Sequence, residues 1–200
     1  MSIYAILSLK GGVGKTTSAM HLAAVAAEQG QRAVVLDGDE EKSASEWARL
    51  AEPLPFEVRP AERDRIARQA RELEKEGYTV LIDTPPNNRD VLTRAANVAT
   101  TCLIPLPPTG LDVNRMVATL ELLRDVEASR GSLDAVLLLT RWDGRKRLAK
   151  EALGALAALP LLESRVRDLA RYQDAFGSPP AYLTEYRSVW FEMTSVKVDA

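Results

Sequence analysis

Short apolar runs alternate with longer stretches whose apolar residues recur every three or four positions, the pattern of strands and helices in turn. Ile3 to Leu7 is entirely apolar and predicts a buried parallel strand, and Ser18 to Gln29 predicts the helix that follows, stopped by Gly30. Arg32 to Leu36 is a second strand, and Ser43 to Leu50 a helix with Ser43 as its N-cap. Phe56 to Arg59 is a short third strand between two prolines. Ala61 to Glu76 is a charged helix whose sparse apolar positions, Ile66, Ala70 and Leu73, predict a solvent-facing cover. Tyr78 to Ile82, Thr100 to Leu106 and Leu133 to Thr140 are further strands. Asn88 to Asn97, Leu111 to Ala128 and Lys146 to Leu156 are helices. Leu159 to Leu162 is a short seventh strand, and Val166 to Phe176 and Tyr182 to Val196 are closing helices. The strict alternation predicts an α/β fold: a doubly wound, mainly parallel sheet with helices on both faces, in a single domain over residues 1–200.

Composition narrows the class. With 46% hydrophobic and 27% charged residues, the chain reads as globular and soluble. No apolar run reaches the ~18 residues of a spanning helix. The first residues enter a strand at once, which leaves no room for a signal peptide. The single cysteine, Cys102, excludes an intrachain disulfide and any Cys-x-x-Cys metal site, and suits a reducing cytoplasm. The net charge of −2 does not advertise nucleic-acid binding, so such a role needs a local patch. Residues 141–171 offer one, with eight Lys/Arg against four acids.

The chemistry centres on L-K-G-G-V-G-K-T-T at residues 9–17, set between the first strand and the first helix. Gly11, Gly12 and Gly14, with Val13 between them, let consecutive backbone N–H groups turn toward phosphate oxygens. The helix N-terminus adds partial positive charge. Lys15 is placed to reach the β- and γ-phosphates, the Thr16 hydroxyl to bind Mg²⁺, and Thr17 lies beside them. An apolar strand ending in Asp83 delivers a carboxylate beside that metal. Asp37 and Asp39 close the second strand in a D-G-D turn.

The glycine that usually opens such a loop is replaced by Leu9, and an extra lysine, Lys10, follows. This resembles the deviant Walker A loop of the partition- and septum-site-ATPase superfamily. D-G-D-E-E-K-S-A-S-E-W, V-L-I-D-T-P-P, L-I-P-L-P-P-T-G-L-D and L-L-L-T-R extend the likeness over nearly the whole chain, nearest the short ParF-like branch of the ParA family.

The resemblance implies an Mg²⁺-dependent ATPase that forms a homodimer around ATP, with Lys10 reaching nucleotide across the interface. It further implies non-specific DNA binding, location on the nucleoid, and a ParB-like centromere-binding partner that stimulates hydrolysis during plasmid or chromosome segregation. Asp37 would help hold the magnesium shell and Asp39 would orient the attacking water. Pro107 and Pro108 would line the adenine side and the dimer face, and Thr140 and Arg141 would contact the base. Arg165, Arg167 and Arg171 would contact DNA, the last two from one face of a helix beginning near Val166.

Glu40 and Glu41 depart from the family's Pro-Gln, placing two extra carboxylates where a triphosphate would be repelled unless they turn away or pair with basic groups. The C-terminal F-E-M-T-S-V-K-V-D-A lacks a strongly basic amphipathic helix, against membrane anchoring of the MinD kind. Two other readings share the loop: an ATPase that positions another cargo, such as a chemoreceptor cluster or a microcompartment, and a small ligase such as dethiobiotin synthetase.

Overall fold

The computed structural model describes residues 2–195. Strands β1 (Ile3–Ile6), β2 (Ala33–Asp37), β3 (Glu57–Pro60), β4 (Thr79–Asp83), β5 (Thr101–Leu106), β6 (Asp134–Trp142) and β7 (Leu161–Arg167) form one sheet. Their order is β3-β2-β4-β1-β5-β6-β7, and every neighbouring pair is parallel. The sheet is therefore wholly, rather than mainly, parallel. The helices are α1 (Lys15–Glu28), α2 (Ser43–Ala51), α3 (Ile66–Lys75), α4 (Arg89–Val98), α5 (Gly110–Arg130), α6 (Arg147–Leu156), α7 (Ala170–Gln173) and α8 (Thr184–Ser195). Val196, the last residue of the expected closing helix, and the rest of the C-terminal string lie outside the described residues.

Alternation along β1 divides the core. Ile3, Ala5 and Leu7 face a layer that holds Ile66 and Leu73 of α3, Leu92 of α4 and Leu122 and Val126 of α5. Tyr4 and Ile6 face the layer of α1, α2 and α8, with Met20, Leu22, Trp47, Tyr186 and Trp190. A period of two on a strand sends successive side chains to opposite faces, so both faces of this central strand are apolar. The chain leaves β1 toward β3, returns through β4, and then crosses to β5 on the other side. Ligands of such sheets bind at the carboxyl ends of the strands where the order reverses. The phosphate loop follows β1 at that point.

Two expected elements differ. Ser43 does not cap α2: Lys42, in the left-handed region at φ 52°, occupies that position without a side-chain bond to the helix. The Ser45 amide in the first turn is taken instead by the Asp37 carboxylate. The expected helix from Val166 is largely strand. β7 runs to Arg167 against β6, pairing Leu139 with Arg165 and Trp142 with Arg167, and only Ala170–Gln173 is helical. Leu162 and Val166, four residues apart, fit either period; pairing with β6 and cover from α8 decide for strand. The outer edge of β7 is closed by α8, whose Glu192 accepts from the amides of Glu163 and Ser164 over 2.7 and 2.8 Å and whose Glu185 accepts from that of Arg167 over 3.0 Å.

Candidate nucleotide site

Gly12 and Gly14 adopt positive φ, 71° and 96°, which tightens the loop onto the start of α1. Lys15, the first residue of that helix, is 7% exposed, and its ammonium donates to the Lys10 carbonyl over 3.0 Å. Burial lowers its pKa, while Asp83 and Asp39 pull in the opposite direction. From the far side, the buried Thr140 hydroxyl donates to the Val13 carbonyl over 2.9 Å, fixing the end of β6 to the loop.

The three expected acids are held in different ways. Asp37 is fully buried and satisfied: one carboxylate oxygen accepts from the Ser45 amide and hydroxyl, and the other from the Asp39 amide over 3.2 Å. Asp83 is buried, and among the described residues neither of its oxygens has a hydrogen-bond partner of good geometry, although the Thr16 hydroxyl lies beside it. Burial pushes its carboxyl up to about 7; the nearby Thr16 hydroxyl and Lys15 oppose that shift, and Asp37 and Asp39 add to it. An unpaired buried carboxylate beside Thr16 is the donor set of a hard cation, so the residues present fit Mg²⁺. Asp39 is half-buried on the rim, where its carboxylate accepts from the Glu41 amide over 3.2 Å. Gly38 lies between these acids with no room for a side chain: a Cβ there would meet Ile66 Cδ1 at 2.7 Å and the Asp83 carbonyl at 3.1 Å.

Two adjoining clefts open at the loop. One, of about 340 Å³, is lined by Gly11, Gly12, Gly14, Lys15, Thr16 and Thr17, faced by Asp39, Glu41, Ser43, Pro86 and Arg141. The other, of about 530 Å³, shares Gly14, Thr16, Thr17 and Arg141 and runs on past Thr140 and Asp168 to Trp47, Tyr172 and Phe176. The first has the lining of a phosphate site; the second sets an aromatic wall against polar residues, with the breadth of a base and sugar. Thr140 and Arg141 line this second cleft. Pro107 and Pro108 are buried between β5 and α5 and line neither cleft. Lys10 lines neither of these clefts and pairs with the buried Asp112 of α5.

Residues 4–178 match the CobQ/CobB/MinD/ParA nucleotide binding domain. The chain belongs to this family. Among its relatives, a maintenance of carboxysome distribution protein A from Gloeobacter kilaueensis is 38% identical over 146 residues, 72% of this chain and 64% of that protein's length. The chromosome-partitioning ATPase Soj of Thermus thermophilus is 29% identical over 77% of this chain and 75% of its own. In structure, a plasmid partition protein of Borrelia burgdorferi, solved with AMPPNP, superimposes with a TM-score of 0.77 at 18% identity, over 96% of this chain and 98% of that one. At that identity the likeness establishes the fold.

The arginines expected to contact DNA do not share a helix face. Arg165 and Arg167 lie on β7 and Arg171 on α7. Arg165 donates to the Leu162 and Ser164 carbonyls and lies over Trp142. Arg167 pairs with Glu185 and donates to the Tyr182 hydroxyl over 2.9 Å, while Arg171 stacks on the Tyr182 ring at 4.2 Å. Sequence reasoning missed Ser45, Asp112 and the aromatic wall of Tyr172 and Phe176. Only Asp112 left a trace, as an acid in the first turn of a helix.

Among the described residues, no helix is long and apolar enough to cross a membrane.

Proposed function

We propose that this chain is a ParA-type ATPase switch that binds ATP with Mg²⁺, dimerises on ATP, binds DNA without sequence preference and is reset when a partner stimulates hydrolysis. One observation carries the catalytic reading: the buried Asp83 carboxylate, unsatisfied among the described residues, beside Thr16 and Lys15 at the foot of a glycine-rich cleft. Thr16 and Asp83 would hold Mg²⁺, with Asp37 acting from behind through Asp39. The ion would supply charge neutralisation of the triphosphate. Lys15 draws the β- and γ-phosphates to the loop, and the backbone amides of Gly11 to Gly14 orient them. Asp39, on the rim of the same cleft, positions the attacking water and accepts its proton. Lys10 completes the site of a second copy.

Segregation of a plasmid or chromosome, with a ParB-like partner, is the role we assign. A second reading, positioning of a protein microcompartment by the same cycle, is favoured by the 38% identity to the carboxysome distribution protein. Loss of the plasmid or mislocalisation of the compartment after gene deletion separates the two.

Sedimentation with a slowly hydrolysed ATP analogue tests the switch. The wild type is expected to become a dimer, Lys15→Ala to lose binding, and Lys10→Ala to keep most binding while losing dimerisation and turnover. A wild type that stays monomeric at saturating analogue overturns the dimer. Asp39→Ala is expected to bind ATP and slow turnover ~100-fold. DNA binding is expected to require ATP and to weaken steeply with salt. We assign it to the basic 141–171 region through Arg165, Arg167 and Arg171, which must exchange their internal partners for phosphates. Mobility shifts of the Arg165→Ala/Arg167→Ala variant, with Arg171→Ala alongside, test this; unchanged binding and salt slope would place the surface elsewhere.

A further inference from the structure

The two carboxylates that replace Pro-Gln in this chain do not share a fate. Glu40 is largely exposed and turned outward, where it pairs with Arg63. Glu41 lines the phosphate cleft. The left-handed turn at Lys42 and the bond from the Glu41 amide to the Asp39 carboxylate set this divergence. Lys42 itself reaches the Asp37 and Ala61 carbonyls, each over 3.4 Å, which keeps its ammonium on the turn.

The charges facing the cleft are consequently balanced rather than positive. Lys15 and Arg141 supply the cations, and Asp39 and Glu41 oppose them, with Asp83 buried beneath. Lys15 is already bonded to the Lys10 carbonyl and lies near Asp83 and Asp39. A phosphate site usually carries a surplus of positive charge; the side chains that one copy of this chain turns to the cleft supply none.

Resting on the reading of this cleft as the triphosphate site, we propose that Glu41 is a specificity-determining carboxylate that makes the site favour the divalent-cation chelate of a nucleoside triphosphate over the free nucleotide. A free triphosphate carries about twice the negative charge of its magnesium chelate, so a facing carboxylate repels it about twice as strongly. Glutamine at this position has the same shape and no charge, and would admit both forms. Glu40, paired with Arg63 outside the cleft, exerts no such selection. Glu41 is exposed, so the effect is screened by salt.

Titration of the full chain with a fluorescent ATP derivative, in excess Mg²⁺ and separately in EDTA, tests this. Glu41→Gln is expected to tighten binding of the free nucleotide ~10-fold and of the chelate ~3-fold, so that the preference for the chelate falls ~3-fold. Glu40→Gln is expected to match the wild type in both buffers. Raising the salt to ~0.5 M should shrink the difference between Glu41→Gln and wild type. Equal improvement in both buffers, or none, overturns the role of Glu41 while leaving the nucleotide site standing. A wild type that takes up no nucleotide even with Mg²⁺, and so matches Lys15→Ala, overturns the nucleotide reading and this inference with it.

Discussion

Ser45 gives the buried Asp37 carboxylate two hydrogen bonds, one from its amide over 2.9 Å and one from its hydroxyl over 2.6 Å. The bond from the hydroxyl is charge-assisted and shielded from water, which places it among the stronger hydrogen bonds of a protein. Ser45→Ala keeps the amide bond and removes the hydroxyl, leaving the carboxylate short of a donor. Urea unfolding is expected to show a loss of about 1–3 kcal/mol. A midpoint equal to wild type would mean that water replaces the hydroxyl at no cost.

Lys10 is paired in its own chain with Asp112, whose side chain is buried and also accepts from the Thr109 hydroxyl over 2.5 Å. A lysine that serves a second copy must first leave this carboxylate. Asp112→Asn keeps the shape and the Thr109 contact and drops the charge. The ATP-dependent dimer should then form at ~5-fold lower protein concentration, the scale of a part-exposed ion pair. Sedimentation across a concentration series reads this directly, and an unchanged midpoint would show that the pair does not compete with association.

Burial holds the His21 imidazole down at about 4, against the Thr17 carbonyl that favours its charged form. It is enclosed by Trp47, Tyr172 and Tyr186. Its folded pKa lies below the unfolded value of ~6.5, so the unfolded chain binds the proton first. The stability that follows is whole above pH ~6.5, declines as the pH falls toward 4, and is gone below the folded value. Its size is of the order of 3 kcal/mol. Between pH 7 and 4 the stability of wild type relative to His21→Phe should fall by up to that amount as the pH drops; parallel curves would show that His21 does not titrate on unfolding.

Gly38 and Gly154 make opposite predictions. A methyl group at 38 meets Ile66 and the fixed carbonyl of Asp83, so Gly38→Ala should cost about 1–3 kcal/mol. Gly154 lies within α6, with open space where a Cβ would stand, and Gly154→Ala should stabilise by roughly 0.5–1 kcal/mol. Thermal melts of the pair test both signs.

Much of this was legible because the sequence signals were local. The apolar runs of β1, β2 and β4 and the glycines at 11, 12 and 14 need only their neighbours to be read. Only the start of β7, at Leu161 and Leu162, was legible: E-S-R-V-R carries no strand-forming excess, and its extended form depends on β6 at one edge and on glutamates from α8 at the other. The same reason hid the partners of the site. Ser45 is eight residues from Asp37, and Asp112 is a hundred from Lys10, so their pairing exists only in the folded chain. Glu40 and Glu41 are adjacent in sequence yet face different surroundings, which only the turn at Lys42 reveals.

The glutamates along β7 also limit how this protein can polymerise. A newcomer strand recruits an exposed sheet edge through its free backbone donors. Here the amides of Glu163, Ser164 and Arg167 are already spent on carboxylates of the same chain. Fibre growth by strand addition at this edge would have to displace α8 first, taking its buried Tyr186, Val189, Trp190 and Met193 out of the core. Strand addition is thereby confined to β3, the opposite edge of the sheet.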